Sequence, residues 1–148
     1  MKRTALVLLM ATLALAVACV GLVRREQALA ASLPPVVKVT SVQFRLLRNH
    51  DKTLVPILGT GSMQPLIPAS SDPDDVVALA ALDRRAFDLL GEGALIVFRT
   101  PRGYIIHRLE QFTPEGWITS GSHNARYDSG RVTAGNYVGV AVKIYTRG

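Results

Sequence analysis

Cysteine is almost absent from this 148-residue sequence, in which Cys19 stands alone. A single cysteine excludes an internal disulfide and a metal site built from several cysteines. Lysine is also scarce, and no Gly-Lys-Ser or Gly-Lys-Thr follows the short glycine motif at 59–61. A phosphate-binding loop is therefore excluded, because its lysine and hydroxyl have no counterpart. The sequence predicts neither a metal ion nor another cofactor.

A clustered excess of one charge is also missing from most of the chain. The net charge is +6, and residues 32–148 hold thirteen basic and ten acidic side chains in mixed order. A nucleic-acid surface needs basic residues gathered in a patch or stripe, so nucleic acid is not a predicted partner. The mildly basic balance is compatible with work beside anionic lipid.

The first part of the chain contains a long apolar run. No charged residue occurs from Ala5 to Val23, and basic residues stand on both sides of this run. Nineteen helical residues would rise about 29 Å, close to the thickness of a bilayer core. We therefore predict one transmembrane helix as a retained anchor, with residues 1–31 as anchor and flanks and residues 32–148 as the following domain.

Two other interpretations of this N-terminal part stay open. A cleaved signal peptide ends in small residues, and Leu29-Ala30-Ala31-Ser32 resembles such a site. Lipidation at Cys19 is the third alternative, although Ala16 occupies a position where larger aliphatic residues are preferred.

The residues after Pro34-Pro35 read mostly as β-strands. β-Branched or alternating apolar patterns predict strands at 36–44, 53–58, 94–98, 104–109, 116–119 and 136–145. Pro56 suits an edge strand or the end of a strand, and the TPRG turn at 100–103 predicts a hairpin. The run at 75–82 is ambiguous between strand and helix, and Asp83 is a candidate cap for a short helix ending before Gly91. The predicted fold class is a mostly β domain with an antiparallel sheet.

Three side chains could together perform acyl transfer. Ser62 stands in the Gly/Pro turn GTGSMQP, and a serine needs a base to become a nucleophile. The candidate bases are His107 and Lys143. A histidine has an ordinary pKa near 6.5 and can act as a base near neutral pH, whereas a lysine needs strong desolvation to lower its pKa first. Asp128 is the leading candidate to orient His107. Taken singly, these residues are more often a turn serine, a packed or surface histidine and a solvated loop aspartate than catalytic groups.

Order and spacing resemble a known family. The segment GTGSMQP at 59–65 resembles the serine box of type I signal peptidases, and DDVVALAAL resembles a strand that follows it there. The segment at 91–110 resembles the family's hydrophobic strand, turn and His-Arg strand, and ITSGSHNARYDSG resembles its aspartate-ending loop. VGVAVKIY fits the last strand. The resemblance covers about residues 54–145 and the N-terminal anchor.

The presence of His107 rather than lysine resembles the endoplasmic-reticulum and archaeal type of this family. That resemblance implies a nucleophilic Ser62, a general base His107 and an acidic partner Asp128. It also implies that the Thr60 hydroxyl and the Ser62 backbone N–H hold the oxyanion, with Gly61 and Met63 at the oxyanion and substrate-binding turn.

The implied activity is a membrane-anchored serine endopeptidase that cleaves signal peptides or similar pro-segments after small residues of the Ala-x-Ala type. The implied partners are preprotein substrates and the lipid bilayer. The implied location is a single-pass membrane protein with its catalytic domain on the extracytoplasmic side. Strand addition beside the His107 strand would bind the extended substrate.

Some residues depart from the family pattern. Ala94 stands where an aspartate is usual, and Ser122 and His123 replace an aspartate and an asparagine in the last loop. A non-catalytic, degenerate peptidase that binds peptides or scaffolds an assembly is therefore the alternative function. A serine peptidase with one narrow maturation task is a further alternative, and His123 is expected to be exposed rather than to assist.

Overall fold

The computed structural model of this protein describes residues 33–148 as a mostly β domain. Its strands are β1 Val36–Val39, β2 Val55–Leu58, β3 Val76–Asp83, β4 Leu95–Thr100, β5 Gly103–Thr113, β6 Gly116–Ser120 and β7 Tyr137–Arg147. One α-helix, α1 Ser41–His50, and one 3-10 turn, Phe87–Leu89, complete the regular structure of these residues. Within residues 33–148, no helix is both long and apolar enough to cross a bilayer. The predicted anchor at 5–23 lies outside the described residues.

The strands form one sheet in the order β2-β3-β7-β4-β5-β6, and all of these neighbours are antiparallel. The long strand β7 is central. It pairs along one side with β3, while its other side pairs with β4 and, near the C-terminus, with β1 in parallel. The predicted antiparallel β class is therefore confirmed, and β2, with its Pro56, is an edge strand as predicted.

The predicted strand at 36–44 is wrong in its second half. β1 ends at Val39, and α1 begins after Thr40. Thr40 accepts a hydrogen bond from the Gln43 backbone (3.3 Å), while the Gln43 side chain accepts one from the Thr40 backbone (3.0 Å). This reciprocal cap favours a helix start. The β-branched residues before Thr40 concealed that start in the sequence.

The ambiguous run at 75–82 is a strand. β3 lies between β2 and β7, and its consecutive residues Val77 to Ala80 are all buried. Both faces of the strand are therefore covered, which explains its continuous apolar character. The predicted helix from Asp83 to Leu90 is wrong. Asp83 still pairs with Val140 as the last residue of β3, so it does not cap a helix, and only the 3-10 turn follows.

The β4–β5 hairpin forms as predicted and positions the histidine. Its turn is fixed by the Thr100 hydroxyl, which donates to the Gly103 carbonyl (2.9 Å). Alternate residues of β5 enter two separate apolar clusters, with Ile106 in one and Ile105 and Leu109 in the other. His107 therefore shares a face with Ile105, as the alternation predicted, and it is only 4% exposed.

Candidate active site

Ser62 is held in a compact turn between β2 and β3. The Gly59 backbone donates to the Asp75 carbonyl (2.8 Å), and the Ser70 backbone donates to the Gly59 carbonyl (3.0 Å), so the two ends of the turn are joined. Gly61 has a φ of +79°, a conformation that disfavours residues with a side chain. Met63, buried at 3% exposure, anchors the turn in the core immediately after the serine.

The structure brings Ser62, His107 and Asp128 into one hydrogen-bonded chain. The Ser62 Oγ lies 2.7 Å from His107 Nε2, and His107 Nδ1 lies 2.5 Å from Asp128 Oδ2. The first pair is separated by 45 residues along the chain and the second by 21. The Phe98 ring packs edge-on against the imidazole, with 5.8 Å between ring centroids. This arrangement can accept the serine proton on Nε2 while the carboxylate fixes the proton on Nδ1.

Asp128 is itself held by a residue that the sequence analysis missed. The Thr119 hydroxyl donates to Asp128 Oδ2 (2.6 Å), and the Asp128 backbone N–H donates to the Thr119 carbonyl (2.8 Å). Thr119 is 1% exposed on β6. The strand period in GWITS was the available signal, because it places Thr119 on the same face as the large apolar Trp117. No local pattern indicated which group that hydroxyl would meet.

Thr60, the predicted oxyanion donor, lies next to Ser62. Its hydroxyl is 2.9 Å from the Ser62 Oγ, and the Ser62 backbone N–H points to it at 3.5 Å. The Thr60 hydroxyl is thus close to both the hydroxyl and the backbone N–H of Ser62.

A very small cavity adjoins the serine. Its volume is about 10 Å³, and it is lined by Leu58, Thr60, Gly61, Ser62, Met63, Ile67 and Ile106. About one water-sized group fits such a space. The predicted substrate-binding residues Gly61 and Met63 are therefore both beside Ser62, in the wall of a cavity that accepts a group no larger than a methyl.

The loop that contains Gly121, Ser122 and His123 packs directly on the turn that carries Ser62, which is called the serine turn below. The His123 backbone N–H donates to the Ser62 carbonyl (2.8 Å), while the His123 side chain is exposed as expected. A Cβ on Gly121 would lie 2.3 Å from the Ser62 carbonyl oxygen, so only glycine permits this approach. Ser122 contributes its backbone N–H to the Met63 sulfur (3.3 Å).

The alternative base, Lys143, is engaged elsewhere. It lies on β7 opposite Ala81, and its ammonium is 5.3 Å from the centroid of the Tyr145 ring. Within residues 33–148, His107 is the titratable side chain that is hydrogen-bonded to Ser62. The same part of the chain contains no cluster of three or more His, Cys, Asp or Glu side chains that could hold a metal ion.

Comparisons of the chain with protein-family models, with curated proteins and with solved structures found no match.

Proposed function

We propose that this protein is a serine endopeptidase similar to type I signal peptidases of the Ser-His type. Support comes above all from the hydrogen-bonded chain Ser62–His107–Asp128, in which each contact joins residues that are distant in sequence. The buried position of His107 against Phe98 holds the imidazole in place without a substrate. Preorganised geometry of this kind is what acyl transfer requires.

In the proposed reaction, the Ser62 Oγ attacks the carbonyl carbon of a peptide bond. His107 Nε2 accepts the serine proton and then gives it to the nitrogen of the leaving amine, which breaks the C–N bond. Acid–base help of this kind contributes about 10²–10⁴ in rate. Water, deprotonated by His107, then hydrolyses the ester on Ser62 and restores the free enzyme. No cofactor takes part.

Two donors would stabilise the negative oxygen of the tetrahedral intermediate. These are the Ser62 backbone N–H and the Thr60 hydroxyl, which lies 2.9 Å from the Ser62 Oγ and 3.5 Å from the Ser62 nitrogen. Asp128 would stabilise the imidazolium that forms during each proton transfer. Thr119 would keep the Asp128 carboxylate turned toward the imidazole.

The small cavity supports a substrate with alanine or another small residue immediately before the scissile bond. A cavity of about 10 Å³ fits a methyl group and excludes a branched side chain. Two strand edges supply the remaining contacts. Among the described strands, β2 pairs only with β3, and the part of β5 before Arg108 pairs only with β4. An extended peptide can add to such an edge through backbone hydrogen bonds.

The proposed substrates are preproteins at a membrane surface. The apolar run at 5–23 would anchor the enzyme in the bilayer, with the catalytic domain on the extracytoplasmic side. Anchoring enzyme and substrate to one surface raises their effective concentration.

The decisive experiment is cleavage of a model preprotein with an Ala-x-Ala site by the full chain in detergent or liposomes. Ser62→Ala and His107→Ala should abolish cleavage, whereas Lys143→Ala should keep it. Loss through Lys143→Ala would instead assign the base to lysine. If the folded wild type cleaves no substrate and a serine-reactive acylating probe does not label Ser62, the protein is a non-catalytic binding module. Labelling without cleavage of the general substrate would indicate a peptidase with a narrow task.

A further inference from the structure

A large groove opens directly beside the serine turn. Its volume is about 670 Å³, and its walls include Lys38, Gln64, Leu66, Arg108, Ser122 and Arg147. Gln64 follows Ser62 by two residues. Ser122 lies between Gly121, which packs closely against the Ser62 carbonyl, and His123, whose backbone N–H donates to that carbonyl. The groove is therefore continuous with the candidate active site.

The residues of β5 that line the small cavity and the groove stand on either side of His107 in the sequence. Ile106 lines the small cavity and Arg108 lines the groove, while His107 between them contacts Ser62. Residues of an extended chain advance about 3.3 Å each, so Ile106 and Arg108 are about 7 Å apart. A peptide whose alanine occupies the small cavity, and whose chain then continues past Ser62 toward the groove, would thus place its second or third residue after the scissile bond opposite Arg108.

The charge of the groove is positive and partly uncompensated. Arg147 is paired with Asp75 (3.5 Å) and donates to the Val76 carbonyl (3.0 Å), so its charge is already engaged. Arg108 donates to the neutral Ser122 hydroxyl (3.2 Å), and Lys38 makes no ion pair within residues 33–148. No acidic residue lines the groove. Two positive charges therefore face a space whose remaining wall is largely apolar, with Val36 and Leu66 in it.

We propose that this groove binds the segment of a peptide substrate that follows the scissile bond, and that Arg108 and Lys38 select an acidic side chain at its second or third position. This inference rests on the peptidase function proposed above. The apolar wall suits the aliphatic parts of the same segment. A guanidinium contacts a carboxylate through charge-assisted hydrogen bonds, which are stronger than those to a neutral amide.

The test uses peptides that have the same residues before the scissile bond, ending in alanine. They differ only after that bond, with Glu, Gln or Lys at the second and third positions. For the full wild-type chain, kcat/KM should be about 3- to 10-fold higher for Glu than for Gln, and lowest for Lys. The double variant Arg108→Gln/Lys38→Gln should bring the Glu/Gln ratio to about 1. The control Arg45→Gln/Lys52→Gln removes the same charge from exposed positions outside the groove and should keep the preference.

A binding measurement separates this inference from the proposed catalysis. Fluorescence anisotropy of the same peptides with the Ser62→Ala chain should show tighter binding of the Glu peptide, and the two groove substitutions should remove that difference. If the Ser62→Ala chain shows this binding preference but the wild type cleaves none of the peptides, the proposed catalysis is overturned and the groove assignment is kept. Cleavage of all three peptides at equal rates would overturn the groove assignment and keep the peptidase.

One further outcome would also overturn the inference. If Arg108 and Lys38 are required for binding to phosphatidylglycerol vesicles, and the peptides show no preference, the groove is a lipid site instead. Neutral phosphatidylcholine vesicles are the control for this arm, because they offer the same acyl chains without the net negative charge.

Discussion

Thr119 donates its hydroxyl hydrogen to Oδ2 of Asp128, the same carboxylate oxygen that faces His107 Nδ1. Two groups from different strands, β5 and β6, thus converge on one oxygen atom. The carboxylate is partly accessible, with 23% of its side-chain surface exposed, whereas the imidazole and the Thr119 hydroxyl are buried. The buried threonine therefore limits the orientations that the more exposed carboxylate can adopt.

The substitution Thr119→Val tests this positioning role. Valine keeps the shape but removes the hydrogen bond to a charged acceptor, so we expect about 1–3 kcal/mol lower stability. We also expect kcat to fall about 10-fold with KM nearly unchanged, because the carboxylate would orient the imidazole less well. Thr119→Ser should restore most of kcat. Thr113→Val is the matched control, because the Thr113 hydroxyl donates to the Gly116 carbonyl (2.8 Å) at the turn between β5 and β6, away from Asp128. An equal loss of kcat in both valine variants would contradict the positioning role.

The substitution Thr60→Val tests the proposed oxyanion donor. Thr60 is exposed, so the free energy of unfolding should change by less than about 0.5 kcal/mol. Loss of one oxyanion donor lowers kcat by about 10²–10³, because the donor acts mainly in the transition state. Steady-state kinetics with a model preprotein should show this fall with KM nearly constant, and Thr60→Ser should retain activity. A large rise in KM without a fall in kcat would assign Thr60 to substrate binding instead.

The close approach of Gly121 to Ser62 gives a third prediction. The Cβ of Gly121→Ala would meet the Ser62 carbonyl oxygen at 2.3 Å and the Ser62 Cβ at 2.7 Å, so the serine turn has to move. A shift of about 1 Å at the reacting atoms costs about 10²-fold in rate. Gly91→Ala is the control, because its Cβ would meet no atom within 4 Å. Kinetics and thermal unfolding of both variants check this prediction, and wild-type kcat in Gly121→Ala would refute the steric argument.

Much of the fold could be predicted from local sequence patterns. The β4–β5 hairpin follows from two apolar runs around a Pro/Gly turn, and the edge position of β2 follows from Pro56. The start of α1 was missed because Val37 and Val39 favour a strand up to the residue before Thr40, whose capping bonds then decide the structure. Local preference changes within one residue there, and a strand pattern cannot show that change.

The candidate site could be predicted only in part. Ser62, His107 and Asp128 were proposed from residue types and from the order of motifs, and the sheet brings their side chains together. Thr119 was missed because its role depends on the pairing of β6 with β5 and on the path of the following loop. Such contacts join residues through tertiary structure, so no local periodicity indicates them.

The size of the small cavity gives the last prediction. Wild type should prefer alanine before the scissile bond over 2-aminobutyrate, which adds one methylene, by about 10- to 200-fold in kcat/KM. Ile67→Val enlarges the cavity beside Ser62 and should reduce this preference to a few fold, at a cost of about 0.5–1.5 kcal/mol in stability. Ile57→Val removes the same methylene from the same apolar cluster but not from the cavity wall, so the preference should persist in that control. Because the two variants lose similar packing, a preference that falls equally in both would mean that general loosening of the core, rather than cavity volume, sets the specificity.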